Sequence, residues 1–362
     1  MGEAQPGSTS QPAVSHRVSV SATQAAADFG KIRPYFIDSI MLWQNGQKLN
    51  NGNYMVDRIL GQGRFSVTYL AKEVRTNGYV AIKTLNPDAS MLKDLKPSER
   101  EKYATKFYDE ALKLSQCQHP HIVKVREIFD EAVREGWFAN TRYPCIVMDY
   151  IDGVSLGQRG EPQLPEKIAL GYIQQIGSAL ISVHQRGLLH RDLKPGNIMI
   201  RAGKQEAILI DFGLARSFDH PLTQQITVDG FAPIELYSHQ EPKGPWTDVY
   251  SLAATLYVLL TGKKPESALD RHDTDSDVHL TPPPRLHNPK ISQKVNQAIV
   301  HAMALIPGDR TQSVPEFLRE LGIGRWSPIP QWDSLPIALQ LAATVAGILG
   351  AIATIIALFL NK

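Results

Sequence analysis

The spacing of apolar positions divides the chain into four parts. Residues 1 to about 50 are rich in Ser, Gln, Ala and Gly and hold one apolar stretch, PYFIDSIMLW at 34–43. They read as a flexible tail with one stretch able to dock. From Tyr54, apolar and polar residues alternate on both sides of a glycine pair in YMVDRILGQGRFSVTYLAKEV, the two-residue period of a hairpin. YVAIKTL (79–85) predicts a third strand, and CIVMDY (145–150) a buried one. Between them Phe107, Glu110, Ala111 and Leu114 stand at i, i+3, i+4 and i+7, sharing one face of a helix. Ser98, with Glu101 three residues on, forms the capping box that would start it. Helical periods then prevail over 166–186, 247–261 and 291–304. The expected body is α+β, a small β-rich part followed by a larger helical one.

The fourth part is Ile337 to Leu360, 24 residues with no charge and one amide side chain, Gln340. At ~1.5 Å per residue it would span roughly 36 Å, enough to cross a ~30 Å hydrocarbon core with tilt. It predicts a transmembrane helix (337–360) joined to the body by a linker (323–336). Only Asn361 and Lys362 follow, so the pattern implies a tail anchor inserted after translation, with no sensor beyond it. Trp326 and Trp332 suit an interfacial belt. Ala343, Gly347 and Ala351 recur at four-residue spacing, which would let a second copy approach closely as a homodimer.

Composition narrows the function classes. Lys and Arg total 38 against 36 Asp and Glu, which argues against a nucleic-acid partner, since that needs a basic face. The two cysteines, Cys117 and Cys145, have neither a disulfide framework nor metal-ligand spacing, and point to a reducing compartment with both buried. The N-terminus lacks the apolar core of a secretory signal, and Pro6 stands where a myristoylation site needs Ser or Thr.

Asp-Phe-Gly occurs twice, in ADFGK (27–31) and IDFGLA (210–215). The first follows no strand pattern and shares only the spelling. The second stands fourteen residues beyond HRDLKPGN (190–197), and that stretch gives it meaning. Phosphoryl transfer to a hydroxyl needs a carboxylate to orient the attacking oxygen and take its proton, a cation near the γ-phosphate, and oxygen ligands for Mg²⁺. Asp192, Lys194 and Asn197 supply the three within one loop, and Asp211 adds a charged metal ligand. Upstream, Gly61 and Gly63 sit at a hairpin tip where missing Cβ atoms let backbone lie over phosphates. Lys83 lies on the next strand, on the same face as Ala81.

From Tyr54 to about Leu321 the chain resembles a eukaryotic-type (Hanks-type) Ser/Thr protein kinase, in a bacterial, cyanobacterial-like spelling. The Gly-rich loop, AIK, the Glu110 helix, HRDLKPGN, DFG, APIE (232–235), DVYSLAATLYVLLTG (248–262) and PGDR (307–310) come in the family's order. The resemblance implies a bilobal catalytic domain over 54–322, with ATP and Mg²⁺ (or Mn²⁺) as cofactors and Ser/Thr-bearing proteins as substrates. It makes Lys83 the contact to the α- and β-phosphates, paired with Glu110, Asp192 the base, and Asn197 and Asp211 the metal ligands. The loop Gly61, Gln62, Gly63, Arg64, Phe65 and Ser66 would cover the phosphates. Leu60, Val67, Ala81 and Met199 would sandwich the adenine, with Met148 as gatekeeper and Asp149 to Ile151 as hinge. Val125, Leu114, Phe212 and His190 would form a spine anchored on Asp248, and Glu235 would pair with Arg310 in a buried ion pair.

Two departures stand out. Ser66 replaces the loop's third glycine, implying a modest loss of nucleotide affinity, and APIE is one residue longer than the commoner Ala-Pro-Glu. Lys194 and Thr227 resemble the Ser/Thr-directed branch of the family. Arg191 would receive a phosphate on the segment between Asp211 and Ala232, with Thr223 the first candidate, then Thr227 and Ser217. The expected protein is a membrane-tethered, autophosphorylating kinase with its catalytic domain in the cytoplasm, where ATP is. The alternative is a nucleotide-binding pseudokinase scaffold, and Lys83, Asp192 and Asp211, all present, argue against it.

Overall fold

A computed structural model of the chain describes residues 43–63, 66–86, 97–135, 139–159, 163–211, 230–238, 240–272 and 281–323. The alternating segments form one antiparallel sheet of six strands: β1 (Lys48–Leu49), β2 (Tyr54–Gln62), β3 (Ser66–Glu73), β4 (Tyr79–Leu85), β5 (Val125–Glu135) and β6 (Ala139–Asp149). Their spatial order is β1-β2-β3-β4-β6-β5. The glycine pair ends β2 as expected, with Gly61 opposite Thr68 and Gln62 opposite Val67 on β3. Strand β4 lies between two partners and is buried from Val80 to Leu85, which is why its apolar run breaks strict alternation.

The last eight residues of the expected tail, 43–50, belong to this body. Trp43 is 1 % exposed with its ring centroid 5.1 Å from that of Tyr69, and Leu49 on β1 is fully buried. Large apolar side chains repay the ordering entropy that the surrounding Gln, Asn and Gly residues cannot. Residues 1–42 lie outside the described ones.

Helix α1 runs over Pro97–Gln116, so Ser98 falls in its first turn. Phe107, Ala111 and Leu114 are buried on one face and belong to the main core. The larger part contains α2 (Glu166–His184), α3 (Pro245–Thr261), the short α4 (Ala268–His272), α5 (Gln293–Ala302) and α6 (Val314–Leu321). Helix α3 is buried almost throughout and touches α2, α5 and α6, so it reads as apolar on every side. A left-handed glycine, Gly262 at φ 67°, ends it. A second sheet has the order β7 (Gly153–Ser155), β8 (Ile198–Arg201) and β9 (Ala207–Leu209), and Leu209 exchanges backbone hydrogen bonds with His121 and Val123 ahead of β5. Both cysteines are buried, and burial pushes both thiols up from their ordinary pKa. Among the described residues no helix is long and apolar enough to cross a membrane, and 324–362 lie outside them.

Candidate active site

The catalytic-loop segment is positioned from beneath by a buried carboxylate. Asp248, in the first turn of α3 and fully buried, accepts the His190 backbone N–H on Oδ2 at 2.8 Å and that of Arg191 on Oδ1 at 2.8 Å. His184, in the last turn of α2, adds its Nε2 at 2.7 Å from Oδ2. Burial alone would raise the Asp248 carboxyl, but the His184 contact and the loop amides hold it below its ordinary value. Arg191 takes a left-handed φ of 63°, a conformation that costs a non-glycine residue about 1–3 kcal/mol. The hydrogen bond that its backbone N–H donates to Asp248 helps to hold it there. His190 is fully buried, and burial lowers its pKa from the ordinary value. His184 is a positioning residue that sequence reasoning missed, and its only signal was a histidine in a helix's last turn.

Above this base the expected chemistry converges. Lys194 Nζ lies 2.9 Å from Asp192 Oδ1, while Asn197 donates through Nδ2 to the Asp192 backbone carbonyl at 2.7 Å and to Oδ2 at 3.0 Å. Both amide hydrogens of Asn197 are thus spent on Asp192, leaving Oδ1 as its acceptor for a cation. Across the cleft, Lys83 Nζ, 8 % exposed on β4, sits 2.6 Å from Asp211 Oδ1. Glu110 falls on α1, where its side chain lies outside what is described.

Of these groups, Lys83, Asn197 and Asp211 line one cavity of about 610 Å³. Leu60, Gly61, Gln62, Gly63 and Ser66 line it on the hairpin side, and Ala81, Lys83, Met148, Asp149 and Ile151 behind. Asn197, Met199 and Asp211 close its far side. A Cβ built on Gly61 would meet nothing within 4 Å, so the hairpin leaves open space there for a bulky ligand. The volume suits a nucleotide, and the carboxylate and amide oxygens at one end suit a hard divalent cation.

Val67 is buried at 3 % exposure, and its neighbours Ser66 and Thr68 are the residues of this strand that line the cavity. Strand alternation explains this, since Thr68 lies directly opposite Lys83 and shares its face, while Val67 points the other way. Counting two residues on from Ser66 would have found Thr68. Arg58, Val123, Ser155, Gln158, Gly196 and Ile210 also line the cavity, and only the fold gathers them.

Of the expected spine, Leu114 and His190 are buried and Val125 packs half-buried against the core. Arg64, Phe65, Phe212, Ser217, Thr223 and Thr227 lie outside the described residues. Arg310 and Glu235 form the expected ion pair at 2.9 Å with both side chains fully buried.

A sequence model of the protein kinase domain matches residues 54–317. The chain belongs to this family. The kinase domain is 31 % identical over 283 residues to the serine/threonine-protein kinase PknB of Mycobacterium tuberculosis, covering 74 % of this chain and 42 % of that protein. The chain thus matches less than half the length of that curated relative. Among solved structures, PpkA-294 in its apo form is 28 % identical with a TM-score of 0.60, covering 77 % of this chain and 99 % of that one. The kinase domain of M. tuberculosis PknI is 26 % identical with a TM-score of 0.57, covering 77 % and 98 %.

Proposed function

We propose that the chain is a Ser/Thr protein kinase that transfers the γ-phosphoryl group of ATP to protein hydroxyls, including its own, and is held at a membrane by residues 337–360. The observation that carries the catalytic reading is the triangle of Asp192, Lys194 and Asn197, in which one carboxylate is fixed by a cation and an amide. Asp192 would accept a hydrogen bond from the incoming Ser or Thr hydroxyl and take its proton as the phosphoryl group moves. Lys194 offsets negative charge at the γ-phosphate, and Lys83 would take the α- and β-phosphates. Asn197 Oδ1 and the Asp211 carboxylate would hold Mg²⁺, which supplies charge neutralisation along the phosphates. The active reading is favoured over a pseudokinase scaffold because Lys83 and Asp211 pair at the nucleotide cavity and Asp192 is hydrogen-bonded to Asn197, which lines it too.

Regulation by phosphate on the segment before Ala232 is supported by two neighbouring cations. Burial and the Arg191 charge together pull the Lys243 ammonium below its ordinary pKa. A phosphate on Thr223, or on Thr227 or Ser217, would engage Arg191 there. The membrane reading rests on the apolar run 337–360, with ATP placing the domain on the cytoplasmic side.

The test is ATP-dependent labelling of the protein and of a generic basic protein. Asp211→Asn should abolish it, whereas Asp28→Asn should leave the rate unchanged. Equal losses from both substitutions would overturn the site. Full-length protein should stay with membranes through carbonate washing, and recovery in the soluble fraction without detergent would remove the anchor.

A further inference from the structure

The surface around the start of helix α5 is rich in cations that have no acidic partners. Residues 281–308 include Arg285, Lys290 and Lys294 and contain no Asp or Glu. All three side chains are exposed, and among the described residues none of them forms an ion pair. The fold gathers them. Arg285 donates its backbone N–H to Asn296 Oδ1 and its guanidinium to Gln293 Oε1, both at 3.0 Å, which fastens the single turn Pro284–Leu286 to α5. Lys290 stands two residues before Ser292, whose side chain caps the same helix. Glu166 of α2 reaches this surface, where its Oε2 accepts the Ser292 backbone N–H at 2.7 Å. Leu286, next to Arg285, is 72 % exposed, more than any other large apolar side chain described.

The chain departs toward its apolar run from this same surface. Gly322, at φ 80°, ends α6, and a Cβ placed on it would lie 2.5 Å from Lys294 Nζ. Arg319, in the last turn of α6, is exposed as well. Ile323 follows, and thirteen residues, 324–336, separate it from Ile337. Fully extended, they would reach roughly 45 Å.

We infer that this face lies against an anionic lipid surface, with Arg285, Lys290, Lys294 and Arg319 on the headgroups and Leu286 entering the interface. The inference rests on the membrane reading and deepens it by naming the lipid chemistry and the face that meets it. Acidic lipids attract Lys and Arg near the bilayer, and each such cation strengthens binding roughly fivefold. An exposed Leu among cations matches an interfacial contact, since the acyl boundary takes the apolar side chain and the headgroups take the charges. The short linker favours lipid over a soluble acidic protein, because a tether keeps the face at high local concentration beside the bilayer.

The experiment uses the full-length protein in nanodiscs of phosphatidylcholine, alone or mixed with phosphatidylserine. Cys117 and Cys145 are buried, so Pro289→Cys, exposed between Leu286 and Lys290, takes a fluorophore selectively. Its quenching by spin-labelled lipid should be roughly three- to tenfold stronger in the acidic discs and should weaken in high salt. Lys290→Glu/Lys294→Glu should bring the acidic discs to the neutral level, and Leu286→Ser should lower the signal in acidic discs. ATP-dependent labelling in detergent should match in all these variants, which shows that the body is folded. Equal quenching in the two lipids, or a difference that the double reversal leaves intact, would overturn the inference. So would a fluorophore that responds to polyglutamate in neutral discs and not to phosphatidylserine, which would assign the face to an acidic protein. Failure of the protein to enter discs would count against the anchor alone. The same labelled protein added to phosphatidylserine vesicles then decides the face. Salt-sensitive binding that the double reversal removes would uphold it, and absence of binding would overturn it.

Discussion

Replacing Arg310 by Met removes one half of a fully buried ion pair, and the structure sets the expected size of the effect. Arg310 donates to Glu235 Oε1 at 2.9 Å and Oε2 at 3.3 Å, and to the carbonyls of Ala304, Trp246 and Leu305 at 3.0, 3.2 and 3.1 Å. The Tyr250 ring lies 5.0 Å from the guanidinium carbon. Glu235 also accepts from the Thr247 hydroxyl, at 3.0 Å. The two partners are therefore unequally supported. Without arginine, a carboxylate with no exposure keeps one described hydroxyl donor, and three carbonyls lose theirs. Breaking a buried pair costs about 3–5 kcal/mol, and Arg310→Met should reach that range. In Glu235→Gln, arginine keeps its three carbonyls and an amide oxygen, so the cost should be about 1–3 kcal/mol. Restoring apolar balance in Glu235→Leu/Arg310→Met should recover part of the larger loss. At about 2–4 °C per kcal/mol for a body of this size, Arg310→Met should lower Tm by roughly 6–20 °C in thermal denaturation. A loss under about 1 kcal/mol for Arg310→Met, or a larger loss for Glu235→Gln, would refute this account of the pair.

Three further outcomes follow from the same geometry. Asp248→Asn leaves at least one of its three donors facing another donor, so kcat should fall roughly ten- to hundredfold through a displaced catalytic loop, with the KM for ATP little changed; steady-state kinetics would show it, and a wild-type kcat would deny Asp248 its positioning role. Thr68→Val removes a cavity hydroxyl with no described partner and should lower the KM for ATP about two- to tenfold, whereas a rise would mean that the hydroxyl serves the nucleotide. His119 has its pKa lowered to about 4 by burial, then by the His121 and Arg186 charges, and its Nδ1 accepts the His121 backbone N–H at 3.2 Å. The unfolded chain therefore takes up this proton first, so stability should decline as pH falls from about 6.5 to 4, and denaturation curves of His119→Asn should show a shallower decline.

Much of the site was legible because phosphoryl transfer constrains local spelling. HRDLKPGN places a carboxylate, a cation and an amide within eight residues, and the structure brings Lys194 and Asn197 within hydrogen-bond distance of Asp192. The same holds for Phe107, Ala111 and Leu114, whose helical spacing alone put them on the buried face. Thr68 was not legible, because a one-residue step along a strand turns a side chain to the opposite face, and only its pairing with Lys83 shows which face Thr68 shares.

What the sequence determined by itself was therefore local: strand and helix periods, the catalytic loop, and which Asp-Phe-Gly stands in a strand context. What tertiary structure decided was long-range. Composition assigned Trp43 to a tail, yet it is buried against Tyr69, twenty-six residues on, because an apolar surface exists there only once the sheet has formed. Lys83 and Asp211 stand 128 residues apart in the chain and 2.6 Å apart in space. Arg159, Lys194 and Lys264 come from three separate segments and share one cavity. Periodicity carries no record of such meetings, since each depends on how folded elements pack and not on the spacing of residues within any one of them.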